Sequence, residues 1–425
     1  MPEGESPRVV VVGGGVAGLV AARELARAGR EVTVLEAGER LGGQLARHSV
    51  AGIELDAGAE AYATRGDDIP RLLRELHLDT DIVTPAPAPA WLHRRDGSAV
   101  PLPATSLFGI PGVPLAQDVI TAIGVRGALR AQLDSVLPDV VGAKAGTLGE
   151  LVRRRMGGAV VDGLVSPVTR GVHSLPADEL PLDRAAPGLR RALRSEGSLA
   201  RAVRAMREQA PAGSAVASLR GGLFRLVDAL EAELRTLGVE LRTGVAAARW
   251  DALGVTTSTG EWILGEVVLA APLDAEAPRT RVTVATIAVD APELAAVPRG
   301  TGVLVAPDAP GVTARALTQV SAKWAWVAEA TPLQLLRLSY DAGVEVTPEL
   351  ARADAEVLLG MPVPTPVDAA VVEWERTGRR VGGEHAIDGM HRVGEAESGT
   401  GLAAVVSYAR TVANAIPSGT SEGEG

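Results

Sequence analysis

The chain has 425 residues, 46% of them hydrophobic and 22% charged: too long for a single core, with the balance of a folded globular protein. A net charge of −10 argues against a nucleic-acid partner, whose phosphates it would repel. The absence of cysteine excludes disulfides, thiolate nucleophiles and cysteine-ligated metals.

In chain order, residues 8–12 form a β-branched run that leads into Gly13-Gly14-Gly15-Val16-Ala17-Gly18. Residues 19–28 have helical character, Gly29 stops them, and residues 31–36 read as a second strand. Residues 69–78 place Ile69, Leu72, Leu73 and Leu76 on one helical face. Residues 99–117 read as an apolar loop broken by Pro101, Pro103, Pro111 and Pro114. Residues 117–206 read as mostly helical, and 221–238 as another amphipathic helix. Strands are predicted at 239–242, 245–250, 255–259 and 266–270, and a more antiparallel sheet at 281–290, 302–307 and 334–340. A helix at 401–415 precedes Pro417 and a Ser/Gly/Glu tail expected to be disordered. No secretory leader and no spanning helix are expected.

The strand–glycine–helix unit carries the first chemical signal. Gly13 permits the tight turn, Gly15 lets the backbone approach a pyrophosphate, and Gly18 lets helix and strand pack closely. The helix start, with Val16 and Ala17, offers free N–H groups to phosphate. Glu36 stands where a carboxylate accepts ribose hydroxyls, so the unit reads as a dinucleotide site. The following Ala37, Arg40, Gly42 and Gly43 resemble FAD proteins of the glutathione-reductase-like class: Arg40 opposes pyrophosphate charge and the paired glycines run beneath the cofactor. Gly394, Glu395, Gly399, Thr400, Gly401 and Leu402 read as the far end of the same site, where a helix aims its positive end at the flavin. The cofactor is therefore expected to be FAD, bound non-covalently; the absence of cysteine rules out a cysteinyl link.

Several stretches narrow the resemblance: Asp56-Ala57-Gly58-Ala59-Glu60-Ala61-Tyr62 with Arg65, residues 148–182, Leu219-Arg220-Gly221-Gly222-Leu223, residues 268–272, Ser321-Ala322-Lys323-Trp324 and residues 399–406. Together these resemble the oxygen-dependent protoporphyrinogen/coproporphyrinogen III oxidase family in its bacterial, Gram-positive form, among FAD-dependent amine-oxidase-like flavoproteins. The resemblance implies an α/β and α+β fold. A Rossmann-like FAD-binding domain would be built from residues 1–65, 206–275 and 377–416, with a helical and substrate-binding region at 66–205 and a mixed substrate sheet at 276–376. It adds Gly58, Ala59, Glu60, Val245 and Ala271 to the cofactor set and Arg65, Arg170 and Lys323 to the substrate set. It further implies a porphyrinogen substrate, oxygen as acceptor, a cytoplasmic place with peripheral membrane contact, and transient contact with the next haem-pathway enzyme. No catalytic side chain beyond the flavin and no metal are expected; the six histidines are scattered.

The chain departs from that family near its end. Glu373 precedes Trp374, Glu384 precedes His385, and only residues 386–393 separate His385 from Gly394, so one helix is expected to be missing and the last strand to shrink to residues 390–393. Two alternatives stay open: another amine-oxidase-like flavin oxidase or desaturase, and a non-catalytic flavin- or porphyrin-binding relative. Trp324 and Trp326 are read as strand residues, which leaves no aromatic pair to place over a flavin.

Overall fold

The computed structural model describes residues 8–64, 66–173, 175–208, 216–271, 279–377, 389–399 and 401–417. One parallel sheet gathers strands from across the chain, in the order Glu240–Arg242, Val32–Leu35, Val9–Val12, Glu266–Leu269, His391–Arg392. Val9 to Val12 sit at its centre and are almost wholly buried, because parallel strands are covered on both faces. The last strand is shorter than the expected 390–393, comprising only His391 and Arg392. His391 and Arg392 register with Val268 and Leu269.

The helices Val16–Arg27, Arg225–Thr236 and Leu402–Ala415 pack on one face of this sheet through Leu19, Leu226, Leu230, Val406 and Ala409. A three-stranded antiparallel sheet, Ala247–Asp251, Gly254–Thr257 and Trp262–Leu264, lies over the other face through Val255 and Ile263. Trp262–Leu264 was not among the expected strands. Its indole is exposed, so no alternating pattern marks it.

A second large sheet has seven strands, in the order Asp368–Thr377, Arg279–Val289, Gln334–Tyr340, Ala316–Gln319, Gly302–Val305, Trp91–His93, Ala99–Pro101. All neighbours are antiparallel except Gly302–Val305 with Trp91–His93. Part of the expected 99–117 loop is thus strand. Pro101 is tolerated because Ala99–Pro101 is an edge strand, where a missing N–H costs no ladder bond. Ser106–Leu107 and Ile110–Pro111 form a further small hairpin. The helix Pro348–Leu359 covers one face through Ala351, Ala355 and Leu358, and the other face turns toward residues 50–61.

The helical region, including Gln117–Gln132, Leu148–Met156, Ser166–His173, Leu189–Glu196 and Leu199–Glu208, packs at the Trp91–His93 and Ala99–Pro101 edge of this second sheet through Val119, Ala122 and Leu164. Its centre is an ion pair between Arg155 and Asp134, both wholly buried. Arg155 also donates to the carbonyls of Val141 (3.2 Å) and Gly197 (3.1 Å), while Asp134 accepts from the Ser198 hydroxyl (2.8 Å) and the Ala200 amide (2.9 Å). Removing one member strands a buried charge. Asp134→Ala should therefore cost about 3–5 kcal/mol, read as a lower denaturant midpoint; an unchanged midpoint would contradict this role.

Candidate cofactor site and the recess beside it

The glycine loop is fixed by contacts that only glycine permits. Gly13 has φ 111°, and a Cβ there would lie 2.9 Å from the Ala270 carbonyl carbon and the Ala271 nitrogen. A Cβ on Gly18 would lie 2.0 Å from the Gly13 oxygen. Gly15 differs. It caps the helix Val16–Arg27 with ordinary extended backbone, and nothing stands within 4 Å of where its Cβ would be. That open position faces a helix N-terminus, the cradle a pyrophosphate needs. Val16 and Ala17 form the buried first turn behind it.

Glu36 ends the second strand and binds the loop directly: its carboxylate accepts the Gly14 amide at 2.7 Å and the Gly38 amide at 2.8 Å. Beside it Ala37 and Arg40 are exposed, and Arg40 has no ion-pair partner among the described residues, so its charge is available to an anionic ligand. Gly42 donates its amide to the Gly14 carbonyl (2.8 Å) and bridges Gly15, while a Cβ on Gly43 would touch the Gly15 backbone at 3.3 Å. Val245 donates its amide to the Glu36 carbonyl at 2.9 Å, which leaves its own carbonyl as the group able to meet an adenine.

The distant ends of the chain meet here. Gly394, at φ 123°, sets its Cβ position 4.0 Å from the Ala17 side chain and 3.7 Å from the Ala270 oxygen. Glu395 accepts from the Gln44 side chain at 2.9 Å. Gly399 closes that short turn, Gly401 opens onto unfilled space, and Leu402 starts the helix Leu402–Ala415, which packs along Val16–Arg27. Gln44 was not singled out in the sequence, yet it ties the site together: its carbonyl also receives the Ala59 amide at 3.3 Å and lies where a Cβ on Gly58 would be. Its only signal is adjacency to Gly42-Gly43. Arg65 and Thr400 lie outside the described residues.

Two residues expected to serve different ligands are in fact paired. Glu60, expected at the cofactor, accepts from Lys323, expected at the substrate, and from Arg337 at 3.3 Å. Burial pushes the Glu60 carboxyl up, but the charges and hydrogen bonds of Lys323 and Arg337 outweigh it and hold it at about 2. Arg337, which no sequence pattern marked, also donates to the Ala57 carbonyl at 3.3 Å and to the Gly58 carbonyl. Lys323 lies 5.1 Å from the Trp324 ring. Arg170 is paired with Asp341, which also takes Arg315 at 3.2 Å. Asp56 caps the start of Arg225–Thr236, accepting the Leu223 and Phe224 amides at 2.9 Å each, and burial raises its carboxyl to about 6. His48 is held neutral, pushed down to about 4 by burial and then by the Arg337 charge.

Glu60 and Arg337 border a small recess, of about 20 Å³, whose other walls include Asp56, Thr286, Trp324 and Trp326. The two tryptophans are not strand residues: Trp326 lies in the helical turn Ala325–Ala330, and the buried Trp324 is the single extended residue that joins it to the turn Val320–Lys323.

Residues 16–296 match the family of flavin containing amine oxidoreductases. The coproporphyrinogen III oxidase of Mycobacterium tuberculosis is 30% identical over 406 residues, covering 88% of this chain and 87% of that protein. The enzyme of the same name from Bacillus subtilis is 28% identical over 251 residues, 56% of this chain and 53% of that one. A solved structure of a candidate protoporphyrinogen oxidase from Exiguobacterium sp. 255-15 superposes with a TM-score of 0.82 at 25% identity, covering 97% of this chain and 99% of that one. The chain belongs to the flavin containing amine oxidoreductase family, and its cofactor is FAD.

Gly15→Val should fold normally, since the space is open, yet purify without flavin absorbance. Gly18→Val should instead lose stability through its collision with Gly13. Equal flavin content in Gly15→Val and wild type would contradict the pyrophosphate cradle. A carboxyl held down in the folded state adds stability above its unfolded value near 4.5 and loses it as pH falls toward 2. Glu60→Gln should thus be less stable than wild type at pH 7 by on the order of 1–3 kcal/mol, with the gap closing below pH 4.5 in melting curves.

Proposed function

We propose that this protein oxidises a porphyrinogen to the porphyrin in haem biosynthesis, with coproporphyrinogen III the preferred substrate, protoporphyrinogen IX the second, and oxygen the acceptor. The observation that carries this reading is the 30% identity with coproporphyrinogen III oxidase across 88% of the chain. Bound FAD supplies a two-electron acceptor, and three such oxidations with loss of protons bring a porphyrinogen to the aromatic macrocycle. The chain's own task is to hold the macrocycle against the flavin and to keep its charges matched. Gly15, Glu36 and Arg40 serve the phosphate and ribose end; Gly394 to Leu402 close over the other. Lys323 and Arg337 both pair with the Glu60 carboxylate beside the recess.

An amine substrate is the second reading, favoured by Trp324 and Trp326 at the recess. The match to coproporphyrinogen III oxidase over 88% of the chain ranks it below the porphyrinogen reading. Incubation of FAD-loaded protein with coproporphyrinogen III should raise porphyrin fluorescence well above the no-enzyme rate. No acceleration with either porphyrinogen, alongside peroxide from polyamines, would replace the porphyrinogen reading with the amine one.

Peripheral contact with an anionic bilayer is part of the same proposal. Among the described residues no helix is long and apolar enough to cross a membrane. Val125 and Leu129 on the helix Gln117–Gln132, Leu133 and Val136 in the 3-10 turn that continues it, and Val140 in the turn beyond are nevertheless 52–79% exposed. Such a stripe is unusual on a surface that faces only water. Residues 113–208 hold 14 Arg and Lys against 10 Asp and Glu, a cationic excess within an anionic chain. Leu129→Ser with Val136→Ser and Val140→Ser should lose sedimentation with phosphatidylglycerol vesicles. Retained binding, or equal binding to neutral vesicles, would contradict this docking face.

A further inference from the structure

The segment that completes the far end of the cofactor site has little regular structure on either flank. Before it, the strand His391–Arg392 adds only two residues to the edge of the parallel sheet. A strand that short supplies few ladder bonds, and the Val393 amide adds one more, to the Leu269 carbonyl at 2.9 Å. After it, the helix Leu402–Ala415 runs out at Ile416, and Pro417 has no N–H with which to continue it.

One ion pair reaches both flanks. The two carboxylate oxygens of Glu266 go to different partners: one accepts from Arg30 at 2.9 Å, and the other meets the His391 Nε2 at 2.8 Å. A carboxylate only accepts, so His391 carries a proton on Nε2. Arg30 also donates to the Pro417 carbonyl at 2.7 Å. The Arg30 side chain is 3% exposed, against 25% for Glu266 and 33% for His391, so the pair is shielded on its arginine side, where attraction is least screened. Both members stand beside the strand that leads into the glycine loop. Glu266 registers with Val9, and Glu31, next to Arg30, accepts the Val9 amide at 2.8 Å.

We propose that Arg30 and Glu266 form a buckle that pins residues 391–417 at both ends, with His391 the positioning residue through which it sets 394–402 at the flavin end of the site. His391 acts through Arg392 and Val393, which carry its position to Gly394 beside Ala17. With the buckle closed, the far wall stands in place before FAD arrives. With it open, binding must first order that wall, and the apparent affinity falls by the fraction closed. The buckle concerns the cofactor and holds for any substrate.

The test uses the FAD-loaded protein, with free flavin after dilution and ultrafiltration giving the Kd, and amide hydrogen exchange locating the change. His391 is one-third exposed, so its variants should fold. His391→Ala should raise the FAD Kd roughly fivefold, with faster exchange across 391–402. His391→Gln returns an N–H donor near the Nε2 position and should bring the Kd within about twofold of wild type. Arg30→Met fills the same buried volume without donors, so exchange should quicken at 413–416 and the Kd should rise with it. An unchanged Kd in His391→Ala and Arg30→Met, even with a lower melting temperature, would make the cluster plain scaffolding and overturn the buckle. Failure of His391→Gln to restore the Kd would show that the imidazole acts by packing and would overturn its positioning role.

Discussion

The assembly of the cofactor site depends on a buried ion network that joins four helices from distant parts of the chain. Arg23, wholly buried on Val16–Arg27, donates to Glu233 at 2.6 Å and to Glu75 at 2.7 Å, and pairs with its neighbour Glu24 at 3.0 Å. Arg410, from the last helix, reaches Glu75 and lies 3.2 Å from Glu24. Burial raises the Glu75 carboxyl, but donors from Arg71 and Arg23 and the Arg410 charge hold it at about 2. Buried ions of this kind add little net stability over an apolar core, yet a wrong partner leaves a charge unpaired. The network therefore specifies which helix docks where. With Leu402–Ala415 held along Val16–Arg27, Gly394 must fall beside Ala17, and the glycine loop gains its second wall.

The flavin end follows from the same docking. Gln44 binds Glu395 and receives Ala59, so the segment after the paired glycines touches both the late and the early halves of the site. Asp56 then anchors this segment to the start of Arg225–Thr236, and Arg337 anchors it to the seven-stranded sheet. Each hydrogen bond crosses between pieces of chain more than a hundred residues apart, apart from those Gln44 makes with its near neighbours.

The local parts of this design were legible in the sequence. Gly13, Gly15, Gly18 and Glu36 lie within one strand–helix–strand unit, where backbone sterics dictate residue type at each position. Helices such as Leu402–Ala415 and Arg225–Thr236 announced themselves by their apolar spacing. Non-local parts were not legible. Arg337 reads as one more residue of a half-buried strand, and nothing in its neighbourhood tells that it serves the Ala57–Gly58 carbonyls. Glu60 and Lys323 were each marked, but for different ligands, since their pairing spans 263 positions. Trp324 and Trp326 alternate as a strand would, and tertiary packing turned that stretch into helical turns.

Closure of the two ends of the polypeptide on a single FAD is the central claim. Amide hydrogen exchange with and without FAD tests it most directly. The account predicts strong added protection in both 13–18 and 394–402 on loading, with little change in the helical region around 189–208. Protection confined to the N-terminal loop, with 394–402 exchanging as in the apoprotein, would contradict it.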